Sequence, residues 1–188
     1  DCNVPSGESL VRQFLLGQRF FQQEFGRTCH EFWQPDVFGY SAALPQLMKL
    51  ADIRYFMTTK LCWNQFNQPV SSTFLWEGID GSRILSHIPP AGTYNAVMEA
   101  YEVHDTAARH KDAGRTNDGY LLYGYGDGGG GPTASMLERY RLFKDLNGLP
   151  PMEQRSPAEF FALAEASTRD PLVWAGELYF ERHRGTYT

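Results

Sequence analysis

Phe32-Trp33-Gln34-Pro35-Asp36-Val37-Phe38-Gly39-Tyr40-Ser41 opens the stretch whose reading sets the fold class. An apolar element carrying Phe32 and Trp33 breaks at Gln34-Pro35. Residues 41–51 then read as a helix, with Pro45 tolerated near its first turn. Residues 55–59 follow as a short β-prone run. Upstream, Ser6 is placed to cap a helix over residues 8–25, where Leu10, Val11, Phe14, Leu15, Leu16, Phe21 and Phe25 fall at helical spacing. Downstream, residues 73–77 and 83–88 read as strands, and Asp80-Gly81 between them predicts a hairpin. Residues 97–110 read as a helix ended near Gly114, 120–125 as a strand, 133–146 and 157–166 as helices, and 173–175 as a last strand. This alternation predicts an α/β architecture with a largely parallel sheet. Ligands of such folds bind beyond the carboxyl ends of the strands, so the residues just after each strand are where chemistry belongs.

The 188 residues fit one large domain or two small ones, enough to bury a core. With 17 Lys+Arg against 22 Asp+Glu the net charge is −5. A weakly acidic chain without a Lys/Arg block argues against nucleic-acid binding. No apolar run is long enough for a membrane span, and no charged-then-apolar start suggests a signal peptide. Cys2, Cys29 and Cys62 have no C-x-x-C spacing, which argues for three reduced thiols and against a disulfide framework or a zinc-thiolate site. His30, His87, His104, His110 and His183 form no ligand spacing, and His104 and His110 fall on a polar helix. The chain starts at Asp1 without Met and stops at Thr188, so the expectation is a processed chain or a piece of a longer one.

Three junctions carry candidate chemistry. At the first, Asp36 follows an apolar segment and a proline and is flanked by aromatics. Rings stack on sugar C–H faces while a carboxylate takes hydroxyls, a metal or the anomeric carbon; an ordinary turn Asp is the plainer reading. At the second, Gly126, Gly128 and Gly131 match G-x-G-x-x-G between an expected strand and helix, as a dinucleotide fingerprint requires. Asp127 would face a pyrophosphate there, and Pro132 removes a donor from the helix start. The alternatives are a glycine loop that lets substrate approach Asp127, or a flexible tight turn. At the third, residues 89–95 end in Tyr94 and Asn95, a phenol and an amide for a polyol, or an ordinary Pro/Gly loop. Two strand-end carboxylates, Asp36 and Asp127, are what a retaining glycosidase needs, provided that they meet in space. Tyrosines and glycines around Asp127 are expected to reduce its solvation, as suits a general acid. Glu77 and Glu177 are the reserve candidates for the acid.

Taken together, these segments resemble the α-mannosidases of glycoside hydrolase family 38, in the neutral, cytosolic and fungal vacuolar branch. Residues 1–14 resemble the stretch before the nucleophile, and Trp33-Gln34-Pro35-Asp36-Val37-Phe38-Gly39-Tyr40-Ser41 the nucleophile motif. Trp76-Glu77-Gly78, Gly126-Asp127-Gly128-Gly129-Gly130-Gly131-Pro132-Thr133 and residues 183–188 are similar to further segments of that branch. The resemblance implies the later part of a seven-stranded, mostly parallel β/α barrel over residues 1–176, with 177–188 starting a helical middle domain. It implies zinc-dependent, retaining hydrolysis of terminal α-mannosides on free oligosaccharides or N-glycans.

By the same resemblance Asp36 is nucleophile and zinc ligand, and Asp127 the acid/base. Phe38, Lys60, Tyr94 and Asn95 are sugar-contacting positions, with Lys60 where some members carry Arg and Asn95 where the family pair has Asp. The remaining zinc ligands, a His-x-Asp pair and a further His, are expected outside this chain, since four ligands cannot close on Asp36 alone. The isolated chain is accordingly expected to be inactive. The partners implied are mannose-containing oligosaccharides, without nucleic acid or membrane, with an oligomer possible for the intact enzyme. The implied setting is cytoplasmic, or vacuolar for a fungal member. A nucleotide-binding α/β domain on the Gly126–Gly131 loop is the competing reading, and a non-catalytic lectin-like module a third.

Overall fold

The computed structural model describes residues 2–182; Asp1 and residues 183–188 lie outside, and with them His183 and the last segment of the resemblance. Among the described residues a sheet of β1 (Glu31–Trp33), β2 (Tyr55–Met57), β3 (Thr73–Glu77), β4 (Arg83–His87) and β5 (Leu172–Ala175) runs in the order β1-β2-β4-β3-β5. The pairs β1–β2, β2–β4 and β3–β5 are parallel and β3–β4 is antiparallel, so the sheet is mixed. The antiparallel pair follows from its connection, which is too short for a crossover. Asp80 closes that connection, accepting from Ser82 N at 3.0 Å and from Ser82 Oγ at 2.7 Å. The expected hairpin is present, and among the described residues the mixed α/β sheet has five strands.

Successive strand residues serve two cores, because strand side chains alternate. Phe32, Phe56, Phe74, Trp76 and Ile84 pack on one face with Tyr40, Leu178, Phe180, and Leu44 and Met48 of helix α2 (Leu44–Leu50). Trp33, Tyr55, Met57, Leu75 and Leu85 pack on the other with Phe160, Phe161 and Ala164. These last three belong to a helix over Pro157–Ser167. Burial on both faces is why these strands read as continuous apolar runs. On the first face the Phe56 ring lies 4.9 Å from Tyr40 and 5.0 Å from Trp76; on the second Tyr55 stacks on Phe161 at 4.8 Å.

Helix α1 (Gly7–Phe25) starts at the expected Ser6 cap, whose Oγ accepts from Ser9 N, and ends at Gly26 in the left-handed region. Only Leu10 and Phe14 reach the core, and Leu15, Leu16, Phe20 and Phe25 are exposed. Helix α3 (Ala100–Ala108) starts three residues later than expected. Met98 takes a left-handed φ of 60°, and the Glu102 carboxylate caps by accepting from Val97 N and Glu99 N. His104 is exposed on α3, while His110 lies past its end, half-buried, with Nε2 3.1 Å from Asp118 O. Helices α4 (Ala134–Phe143) and α5 (Pro157–Ser167) start at the side-chain caps Thr133 and Ser156.

Residues 120–125 are not a strand. Tyr123 makes one parallel bridge to Ala96, and the ladder stops because Met98 and Gly124, both at positive φ, break the extended backbone on either side. No helix among the described residues is long and apolar enough to cross a membrane. The three thiols are free, with Cys2 buried.

His87 is fully buried at the end of β4. Tyr120 N–H donates to its Nε2 at 3.3 Å, so the ring proton sits on Nδ1 and faces Thr73 Oγ1 at 3.0 Å. Burial, with His110 nearby as a lesser cause, pushes its pKa down to about 3. The unfolded imidazole, near 6.5, binds a proton that the folded one refuses, so stability is full above pH 6.5 and falls as pH drops below it. The expected slope from this residue is about 1.4 kcal/mol per pH unit. Chemical denaturation at pH 7 and pH 5 should show a larger loss for the wild type than for His87→Gln. Equal losses would show that His87 is not the source.

Candidate active site

The register places Trp33, Met57 and His87 at one end of the sheet, where β1, β2 and β4 finish. The loops leaving these strands carry Asp36, Lys60 and Tyr94-Asn95 respectively. Glu77 pairs with Arg83 at the opposite end, at 2.6 Å, and Glu177 lies just beyond β5, whose end adjoins Glu77. Neither reserve acid shares the end that holds Asp36.

The turn before Asp36 is held by its neighbours. Gln34 N donates to Met57 O at 2.9 Å, and Thr59 donates to Pro35 O through N at 3.2 Å and Oγ1 at 2.6 Å. The buried Tyr40 hydroxyl lies 2.7 Å from Thr58 Oγ1 and 2.8 Å from Gln34 O, and its burial pushes its pKa up. Asp36 thus leaves a fixed turn with its carboxylate 41% exposed.

Lys60 opens a short 3-10 turn, Lys60–Trp63, and its ammonium, only 4% exposed, forms an ion pair with Asp36 Oδ1. The same nitrogen lies 3.8 Å from the Trp63 ring centroid and 4.7 Å from that of Phe38. A nearly buried cation needs such company: a carboxylate in front and ring faces beside it. Trp63 is the residue that sequence reasoning missed. Its signal is the spacing of three from Lys60, which eclipses the two side chains on a 3-10 turn.

The Tyr94 phenol faces the Asp36 carboxylate in the cleft. Burial, the approach of the Asp36 carboxylate, and the charges of Asp36 and Asp127 push its pKa up to about 12. Asp36, Tyr94 and Asp127 line one cleft of about 360 Å³ with Trp33, Pro35, Leu122, Tyr123 and Gly126. The two carboxylates that sequence spacing could not bring together therefore share one cavity. Phe38 and Lys60 sit beside and behind Asp36 rather than on the cleft wall. Asn95 turns its Oδ1 to the loop of Asp127.

That loop doubles back at Gly124, whose φ is 117° and where a Cβ would stand 2.7 Å from Pro132 N and 2.8 Å from Gly131 C. Asp127 itself is exposed, contrary to the desolvation expected for it, because the glycines after it carry no side chain to cover it. Gly124→Ala is expected to cost about 1–3 kcal/mol through clash and backbone strain. Gly131→Ala, facing open space without a positive φ, should stay within about 0.5 kcal/mol. Thermal unfolding of the pair decides, and equal melting points would refute the loop geometry.

No group of three His, Cys, Asp or Glu among the described residues could hold a metal ion. Asp36 is a single carboxylate already paired with Lys60, so the chain's described residues do not by themselves make a zinc site. The dinucleotide reading finds no support either, because the fingerprint needs a strand before its first glycine and residues 120–125 supply only one bridge.

The domain described as "Glycosyl hydrolases family 38 N-terminal domain" matches residues 1–177. Over its full length the chain is 54% identical to Alpha-mannosidase G of Dictyostelium discoideum and 50% identical to Alpha-mannosidase 2C1 of Homo sapiens. It spans 17% and 18% of those two proteins. An Alpha-mannosidase of Saccharomyces cerevisiae is 46% identical, again over the whole chain and 18% of the relative. The crystal structure of an alpha-mannosidase from Enterococcus faecalis V583 superimposes with a TM-score of 0.76, covering 95% of this chain and 21% of that one. At 20% identity that likeness concerns the fold.

Proposed function

Because the chain belongs to glycosyl hydrolase family 38, through its N-terminal domain, we propose that the full-length protein containing it is a retaining α-mannosidase. Its substrates would be terminal, non-reducing α-D-mannose residues of free oligosaccharides or N-glycans. The relatives named above as alpha-mannosidases support the activity. The observation that carries the mechanism is the shared cleft of Asp36 and Asp127, with Tyr94 between their charges.

In this reading the Asp36 carboxylate attacks the anomeric carbon while Asp127 gives its proton to the departing glycosidic oxygen. Asp127 then takes a proton from water, which releases mannose from the Asp36 ester. Lys60 holds the Asp36 carboxylate in orientation, and Tyr94 faces it in the cleft. Phe38 and Trp63 shield the ammonium and offer ring faces at the rim. Zinc belongs to the proposal for the whole enzyme, with Asp36 as one oxygen donor and the other ligands outside this chain. So do a seven-stranded barrel that continues this sheet, a helical domain from residue 177, and a cytoplasmic or, for a fungal protein, vacuolar setting.

The test is the stereochemistry of the first product. Proton NMR of an α-mannoside digest by the full-length enzyme should show α-mannose first, with the β anomer growing in by mutarotation. β-Mannose as the first product would exclude the double displacement.

A further inference from the structure

The Asn95 carboxamide does something that a sugar contact does not account for. Its Oδ1 accepts from Gly126 N at 2.8 Å and from Asp127 N at 2.9 Å. These are consecutive amides of the turn that bears the Asp127 carboxylate. Three backbone bonds also hold that turn, the first from Tyr125 N to Gly131 O at 3.2 Å. Gly126 N lies 2.9 Å from Gly124 O and Gly129 N 3.4 Å from Gly126 O, and the glycines beyond Asp127 have no side chain to pack. A glycine loop loses more freedom on ordering than any other, so one acceptor with two bonds has unusual leverage over it.

Asn95 is itself fixed. Its N donates to Thr93 Oγ1 at 3.1 Å, and the next residue, Ala96, is bridged to Tyr123 through Leu122 O at 3.1 Å and Gly124 N at 2.8 Å. The residue before it, Tyr94, lines the cleft with Asp36. Adjacent residues of one turn thus face the Asp36 carboxylate and hold the backbone under Asp127. A Cβ on Gly126 would stand 3.1 Å from Asn95 Oδ1 and 3.4 Å from the Tyr94 ring, so the two loops are in close contact there.

We infer that Asn95 is the positioning residue of Asp127, fixing the acid/base opposite Asp36 by gripping its turn rather than by touching the sugar. The inference rests on the acid/base role proposed for Asp127. The groups facing that carboxylate are Asp36 and Tyr94 across the cleft, Tyr123 on its wall and Tyr125 within the loop, with Lys60 behind Asp36. An Asp at position 95 would keep both acceptor bonds and add a negative charge beside Asp127.

The experiment compares Asn95→Ala, Asn95→Asp and Asp127→Ala in the full-length enzyme. Each is assayed on a mannose disaccharide and on a dinitrophenyl mannoside, with pH profiles and melting points. For Asn95→Ala the expected result is a loss of about 100-fold in kcat on the disaccharide, a much smaller loss on the activated substrate, and little change in KM. Asn95→Asp should restore most of the disaccharide rate and move the basic limb of its profile upward, because a second carboxylate disfavours ionisation of the first. Equal losses on both substrates with a raised KM would make Asn95 a sugar contact and overturn the inference. Equal losses with a lowered melting point, or an Asn95→Asp variant as poor as Asn95→Ala, would overturn it as well. If Asp127→Ala shows the leaving-group dependence and Asn95→Ala does not, the positioning role alone fails. If Asp127→Ala does not show it, the acid/base reading fails and takes the inference with it.

Discussion

Asp36→Asn in the full-length protein is expected to lower turnover of aryl and oligosaccharide mannosides alike, by roughly 10⁴-fold. The amide is nearly isosteric and still offers an oxygen to the Lys60 ammonium, so the cation keeps a partner and the fold should persist. It is too weak a nucleophile to form the glycosyl ester, and good leaving groups do not help an attack that does not occur. Rates on both substrates, with circular dichroism to confirm folding, test this. A slow fluorinated mannoside followed by peptide mass spectrometry should label Asp36 in the wild type. Near-normal turnover by the variant, or a label on another residue, would remove Asp36 from the role.

Asp127→Ala is expected to have the second largest effect, and a selective one. Without a proton donor, departure of a sugar alkoxide slows by about 10²- to 10⁴-fold, while a dinitrophenolate leaves with little assistance. Glycosylation of the variant by the activated substrate should therefore stay near the wild-type rate. Its pH profile should lose the basic limb. Uniform slowing of both substrates with that limb intact would assign the acid to another group. Glu77 and Glu177 would be poor substitutes, since they lie toward the other end of the sheet.

Two of the loops that carry the site are legible because strand ends leave marks in sequence, Pro35 after Trp33 and Pro89-Pro90 after Ile88, whereas Lys60 follows only from the family resemblance. The hairpin was legible because Asp80-Gly81 has few other uses. What could not be read is long-range. Nothing local shows that Lys60 meets Asp36; the parallel register of β1 and β2 brings their loops together. The strand expected over residues 120–125 failed for the same reason in reverse. Its Tyr and Leu residues suit a strand, but a ladder needs a partner, and the partner turns away at Met98. Asp127 was expected to be covered by its tyrosines, yet a glycine loop has nothing to cover it with. Asn95 reads as a sugar ligand because an amide beside a tyrosine suits polyols; that its Oδ1 accepts from the amides of Gly126 and Asp127 is invisible without the fold.

The neutral imidazole of His87, buried at the end of β4, makes this sheet sensitive to where in a cell it resides. In a lumen near pH 5 the folded ring stays neutral while the unfolded one is charged, so folding forgoes about 2 kcal/mol that it keeps at pH 7. Against the 5–15 kcal/mol typical of a domain, that is enough to raise the unfolded fraction roughly thirtyfold. Each such excursion gives resident proteases a larger target. An acidic organelle would thus select for compensating contacts elsewhere or for loss of this histidine, whereas a compartment near neutrality imposes no such demand.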